Sequence, residues 1–220
     1  MQMFGSTCTA SQFPQYYKEG KHHNLPRPYE SSKPGQSGHR LMNRLWFKEL
    51  VHTIEQSVLF FVEELNPDIK KRKDILDKIS KVKELVPKDL RIANSFFTHL
   101  TVLGDLKDGC GMNPHFDEKD IITAIFHVGS TTEGGSTLYY NGLSVDQVGV
   151  TMKEIKFKHG RLQIGQYKDI IHSVQSWKGQ RGCLIFNVKE TVLNHFIQES
   201  MTYYKQYQIQ GYPSGPFLAT

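Results

Sequence analysis

His115-Phe116-Asp117, with His172 and then Arg181 further along, is the set of residues in this chain best able to do chemistry. Side chains two apart on an extended strand share a face, so His115 and Asp117 can reach one ion. A histidine supplied from another strand, His172, completes a two-histidine, one-carboxylate set. Such a set occupies one face of an octahedral Fe(II) and leaves the remaining positions open to exchangeable ligands. Arg181 follows His172 at a short interval and can reach back over the metal. Its planar fork suits a carboxylate, which would anchor a dicarboxylate cosubstrate.

These residues need rigid elements to hold them, and the surrounding sequence supplies strand patterns. Ile121-Ile122-Thr123-Ala124-Ile125-Phe126-His127-Val128 reads as a strand. Glu133-Gly134-Gly135-Ser136-Thr137-Leu138-Tyr139-Tyr140 reads as a glycine turn running into a second strand. Gly160-Arg161-Leu162-Gln163-Ile164-Gly165 leads towards His172, and Arg181-Gly182-Cys183-Leu184-Ile185-Phe186-Asn187 is a final alternating strand. In this order the chain resembles the Fe(II)/2-oxoglutarate-dependent dioxygenases over roughly residues 96–190. The short interval from His172 to Arg181 is similar to that of their prolyl-hydroxylase-like branch.

The resemblance implies a mainly β protein with flanking helices, built on a double-stranded β-helix (jelly-roll, cupin-like) core. It implies an oxidoreductase that uses Fe(II), 2-oxoglutarate and O2, with ascorbate as an auxiliary reductant. 2-Oxoglutarate would be oxidatively decarboxylated to succinate and CO2 as the substrate is hydroxylated. His115, Asp117 and His172 would be the catalytic metal ligands, and Arg181 would pair with the distal carboxylate. Cys183 stands where some members carry a serine that also touches the cosubstrate. Thr123 and His127, which alternate onto one face of their strand, are the candidates for replacing that contact. Where His127 stands, the resembling hydroxylases often have a nearby tyrosine.

Asp120 shortly follows the metal motif. A polar residue at that offset resembles the thymine and methylcytosine oxygenases of the base-J and ten-eleven-translocation type, which makes Asp120 a substrate-contact candidate. The alternative is an aspartate exposed in a turn. Trp177, between His172 and Arg181, reads either as a lid over the site or as packing at a strand turn.

The rest of the chain reads as support. Residues 1–38 are polar and broken by Pro14, Pro26, Pro28, Pro34 and several glycines, the pattern of an irregular arm. Its paired His22-His23 reads as solvated. Residues 39–220 read as one dioxygenase domain, with supporting helices over 39–91, the β-helix core over 92–190, and a C-terminal cover and tail over 191–220. Apolar residues at helical spacing predict a helix over 39–65 and another over 68–86, separated by Asn66-Pro67-Asp68. Ile92 to Leu103 reads as the first core strands, and Gly104 to Pro114 as a loop leading to the site.

At 220 residues, one domain with a sizeable core is expected. A hydrophobic content of 38% and no apolar run near the roughly 20 residues of a membrane span predict a soluble chain. The three cysteines (Cys8, Cys110, Cys183) form no Cys-x-x-Cys pair. They point to reduced thiols in an intracellular compartment, cytoplasmic or nuclear, where ferrous iron also persists. No signal peptide is evident at the N-terminus. The net charge of +5 permits a polyanionic partner without requiring one. Lys70-Lys71-Arg72-Lys73 reads as a solvated helix face. Four functions follow: an oxygenase acting on a methylated pyrimidine base in DNA or RNA, a prolyl-type protein or peptide hydroxylase, a small-molecule oxygenase, and a silent jelly-roll binding module.

Overall fold

Strand alternation between apolar and polar faces is the pattern that builds this molecule. The structure, a computed structural model, describes residues 8–10, 44–88, 91–105, 108–117, 119–141 and 151–209. Nine strands run as β1 (Cys8–Ala10), β2 (His99–Asp105), β3 (Met112–His115), β4 (Asp120–Gly134), β5 (Thr137–Asn141), β6 (Thr151–Ile155), β7 (Leu162–Gly165), β8 (Ile171–Val174) and β9 (Trp177–Lys189). They form a five-stranded sheet in the order β1-β2-β9-β4-β7 and a four-stranded sheet in the order β3-β8-β5-β6. Every pairing is antiparallel. From β2 to β9 consecutive strands alternate between the sheets, except that β5 and β6 pair as neighbours in the smaller one; this is the double-stranded β-helix expected from the sequence.

The larger sheet has two different faces. Leu100 on β2, Ile122 and Ala124 on β4, and Leu184, Phe186 and Val188 on β9 are buried in the main core. Helices α1 (Leu45–Phe60), α2 (Ile69–Leu85) and α3 (Glu190–Ile209) supply much of the rest of that core. The opposite face carries Thr123, Ile125 and His127 on β4 and Cys183, Ile185 and Asn187 on β9. Across from them, Tyr139 of β5 packs with Ile125, Tyr167, Cys183 and Ile185 in a second, smaller cluster between the sheets. Period-two alternation thus separates a greasy helix-covered side from a partly polar interior.

The helices obey the expected signals with some shifts in face. Phe47, Val51, Ile54, Val58 and Val62 form the buried stripe of α1 and the π-helical turn that follows it (Phe61–Leu65). Leu45, Trp46 and Leu65, which also fit the helical spacing, lie on the exposed side. Residues 39–43 lie outside the described residues. Asp68 caps α2, its Oδ1 accepting from the backbone N–H groups of Lys70 and Lys71 at 3.0 Å each. α2 stops at Leu85 because the residue before Pro87 is driven to extended geometry, and Val86 has ψ 120.

Three expectations are corrected, and one strand is new. The segment from Ile92 is not strand at its start: Ile92–Asn94 is a 3-10 turn with Ala93 (φ 48) and Asn94 (φ 62) left-handed, and β2 begins only at His99. The stretch from Gly104 to Pro114 is not all loop, since β2 runs to Asp105 and β3 begins at Met112. Pro114 fits there because β3 is an edge strand. β6 was not legible as a strand. The N-terminal arm is not wholly irregular, since Cys8–Ala10 pairs with β2. The remainder of residues 1–43, with His22-His23, and the tail beyond Ile209 lie outside the described residues.

Candidate metal centre

The ladder between β3 and β8 places His115 directly opposite His172. Their rings lie 4.2 Å apart between centroids. Each imidazole turns its Nδ1 to a backbone carbonyl two residues back, His115 to Asn113 O at 2.8 Å and His172 to Ile170 O at 3.2 Å. A carbonyl can only accept, so Nδ1 carries the proton and donates. The lone pair is left on Nε2, the arrangement that orients a metal-binding histidine.

Both Nε2 atoms face Asp117. His115 Nε2 lies 3.8 Å from Asp117 Oδ1 and His172 Nε2 lies 3.8 Å from Asp117 Oδ2. These separations are too long for hydrogen bonds. Three ligand atoms lie within 4.8 Å of one another, and bonds of about 2.1 Å at right angles would place such atoms about 3 Å apart. The donor set therefore fits a single divalent ion after a small inward shift. Burial, reinforced by the neighbouring His115, holds the His172 pKa below its ordinary value, with Ile170 O and Asp117 opposing. That favours the neutral imidazole a metal needs. His172 is buried while His115 and Asp117 are partly exposed, so the cluster has one open side.

Further into the space between the sheets lies Arg181, 7% exposed. Its Nε donates to Gly135 O at 3.1 Å. The guanidinium lies 5.3 Å from the Trp177 ring and 5.7 Å from the Phe157 ring. Among the described residues it forms an ion pair with no carboxylate. Burial lowers its pKa, the mark of a charge short of compensation. Beside it sit His127 and Cys183, paired across β4 and β9. His127 is 1% exposed, and neither ring nitrogen has a hydrogen-bond partner of normal geometry. Burial, then Arg181, lowers its pKa to about 4. Burial pushes the Cys183 thiol up to about 11, with Arg181 opposing. Arg181, His127 and Cys183 thus form one cluster.

Tyr139, Tyr167 and Gln163, a bonded group beside His172 and Cys183, were not legible as site residues in the sequence. Tyr139 Oη donates to Gln163 Oε1 at 2.9 Å and lies 2.9 Å from Tyr167 Oη. The Tyr167 ring is 4.8 Å from His172 and the Tyr139 ring 6.3 Å. Burial raises both phenol pKa values, so both remain neutral. No local signal separates Tyr139 from Tyr140, which bonds to Ser173 Oγ at 2.9 Å instead. Only the choice of face distinguishes them.

Three other expected site residues are placed differently. Asp120 is 1% exposed, not a solvated turn residue, and its carboxylate is held by Lys189, Asn187 and Thr123 of its own chain. It therefore has little capacity left to read a substrate. Thr123 donates to Asp120 Oδ2 at 3.1 Å and accepts from Asn187 Nδ2 at 3.0 Å, so its hydroxyl belongs to that network and not to the Arg181 cluster. Trp177 is a wall: its ring packs on Gly109 and Arg181, and its backbone bonds to Gly109 in both directions.

No family model matches the sequence, and no curated protein matches it. Among solved structures, the chain is similar to an oxidoreductase of the 2OG-Fe(II) oxygenase family from Burkholderia pseudomallei, at 15% identity and TM-score 0.33, over 41% of this chain and 43% of that one. It is similar to a Pseudomonas putida prolyl-4-hydroxylase at 13% identity and TM-score 0.31, over 40% of this chain and 50% of that one. It is also similar to hydroxypropylphosphonic acid epoxidase from S. wedmorenis at 14% identity and TM-score 0.25, over 40% and 42%. Each match thus spans half or less of the solved chain.

Proposed function

We propose that this chain is a non-haem Fe(II)- and 2-oxoglutarate-dependent dioxygenase that hydroxylates its substrate. The observation that carries the reading is a three-ligand set, open on one side, sharing an interior with a buried arginine that has no acidic partner among the described residues. His115, Asp117 and His172 would hold Fe(II), which, when bound, supplies the oxidative chemistry. Arg181 would take the distal carboxylate of 2-oxoglutarate. His127 and Gln163, buried side by side, would face that end of the cosubstrate. Tyr139 and Tyr167 would line its flank and exclude water, and the exposed side of the cluster would admit the primary substrate.

The substrate reading is a methylated pyrimidine base in DNA or RNA, motivated by the basic balance of the chain. Asp120 no longer contributes to it. Prolyl peptides and small molecules are the competing classes. The test is succinate formation from 2-oxoglutarate with Fe(II), ascorbate and O2, screened against methylated DNA and RNA, proline peptides and a metabolite mixture. Substrate-dependent succinate in one class assigns that class; stimulation by peptide alone would reject the nucleobase reading. Absence of succinate in every arm, with iron bound, would reject the dioxygenase reading. Arg181→Ala should raise the KM for 2-oxoglutarate, because losing one side of a buried charged pair costs about 2–5 kcal/mol, while iron affinity stays unchanged.

A further inference from the structure

The two histidine ligands and the carboxylate ligand are supported in different ways. Each imidazole has a backbone carbonyl to orient it. The Asp117 carboxylate makes no hydrogen bond among the described residues and faces only the two histidines. Its placement must come from the backbone. Asp117 N donates to Tyr167 O at 3.2 Å, and Asp117 O accepts from Asp120 N at 3.1 Å.

Asp120 is anchored at the junction of β9 and α3. Its Oδ1 pairs with Lys189 Nζ, and its Oδ2 accepts from Asn187 Nδ2 and from Thr123 Oγ1. The junction itself is tied down. Lys189 N donates to Thr98 Oγ1 at 2.9 Å, Thr98 N donates to Asn187 O at 3.0 Å, and Glu190 N donates to Lys119 O at 2.9 Å. Lys119 immediately precedes Asp120, so two successive residues beyond Asp117 are held to two successive residues of the junction.

A buried carboxylate is costly without full pairing. A packing role alone would be met more cheaply by an apolar side chain. We propose that Asp120 is a positioning residue for the metal ligand Asp117: its carboxylate, held by Lys189, Asn187 and Thr123, fixes the backbone that presents Asp117 to the two histidines. The proposal rests on the metal-centre reading above.

Co(II) binding tests it, measured by calorimetry and by the visible absorption of the bound ion. The parent should bind one Co(II), and His115→Ala should lose it. Asp120→Ala should weaken Co(II) binding by about 10–100-fold, the usual effect of removing an outer-shell partner, and should change the visible spectrum. Asp120→Asn, which keeps an acceptor for Asn187 and Thr123, should recover most of the affinity and the parent spectrum. Lys189→Met should weaken binding in the same direction, and it provides a second variant if Asp120→Ala does not fold. Val192→Ala, a core change on α3 that removes none of the bonds above, should lower the melting temperature and leave affinity and spectrum unchanged. Parent-like affinity and spectrum in Asp120→Ala and Lys189→Met would overturn the positioning role while leaving the metal centre intact. Equal loss in Val192→Ala would reduce Asp120 to general stability. A parent that binds no Co(II), or a His115→Ala variant that binds as well as the parent, would remove the metal-centre reading itself and the positioning role with it.

Discussion

His115 and His172 have the orientation a metal ligand needs, because their Nδ1 protons are committed to Asn113 O and Ile170 O. His115→Ala, Asp117→Ala and His172→Ala should therefore each abolish stoichiometric Co(II) or Fe(II) binding, read by calorimetry, and with it succinate formation. Binding at the parent level in any one variant would take that residue out of the ligand set. His127 has the opposite character: a buried imidazole near Arg181 and Arg161, with Gln163 and Phe157 beside it. Its pKa in the folded chain is about 4, below the unfolded value of about 6.5. The unfolded chain therefore takes up the proton first as pH falls. The stability His127 contributes is complete above about pH 6.5 and is lost on descending towards pH 4, by roughly 3 kcal/mol at most. His99, also lowered to about 4 by burial and then by Lys189, adds a loss over the same window. Urea melts of the ligand-free protein at pH 7 and pH 4.5 should show this loss, and His127→Leu should shrink the difference between them.

At the scale of elements, the β4–β5 connection decides where Arg181 sits. Gly134 (φ +69) and Gly135 (φ +79) are both left-handed, and Gly135 O receives the Arg181 Nε bond. A Cβ at Gly134 would stand 2.0 Å from the backbone Ser176 O, so an alanine must move the β8–β9 connection that leads into Trp177. The left-handed conformation alone costs an alanine about 1–2 kcal/mol. Gly134→Ala should lower the melting temperature and raise the KM for 2-oxoglutarate, while Co(II) affinity stays near the parent value. An unchanged KM would separate this turn from the arginine's placement. Lys71 makes a comparable link on the helical side, pairing with Asp169 at 3.2 Å just before the strand that carries His172. One member of the basic run is thus a tie between α2 and that loop, while Lys70 and Lys73 stay exposed.

Over the whole molecule, a helical layer stiffens the larger sheet so that its other face can carry polar groups. Phe47 of α1 is fully buried, stacked on Phe186 of β9 at 6.2 Å, and Phe186 in turn contacts Phe97 at 5.3 Å. Phe186 alternates with Ile185 and Asn187, which point into the interior. Phe47→Ala should cost about 3–5 kcal/mol in denaturant melts. A loss below 1 kcal/mol would mean that the helical layer contributes little to holding the sheet. None of the helices among the described residues is long and apolar enough to cross a membrane.

The sequence by itself determined the ligand set, the alternating strands around it and the two supporting helices. Those signals are local: Asn66-Pro67-Asp68 starts α2, and period-two apolar runs write β4 and β9. The strand reading of the two-residue offset is corrected, because β3 ends at His115 and Asp117 lies beyond it, held by backbone bonds to Tyr167 and Asp120. The family resemblance grouped Arg181, His127 and Cys183 with Thr123, whereas alternation fixes only the face each takes; the register that sets His127 opposite Cys183 is a property of the folded sheet. The tertiary structure alone decided the rest. Whether Asp120 meets water or Lys189 depends on where β9 ends against the start of β4, a contact between residues far apart in sequence. Thr123 and His127 share a face of one strand, yet the first belongs to the Asp120 network and the second to the arginine cluster, since β4 sets them opposite different residues of β9, Asn187 and Cys183. Tyr139 and Gln163 meet because facing sheets bring them into reach, a distance that no spacing along the chain encodes.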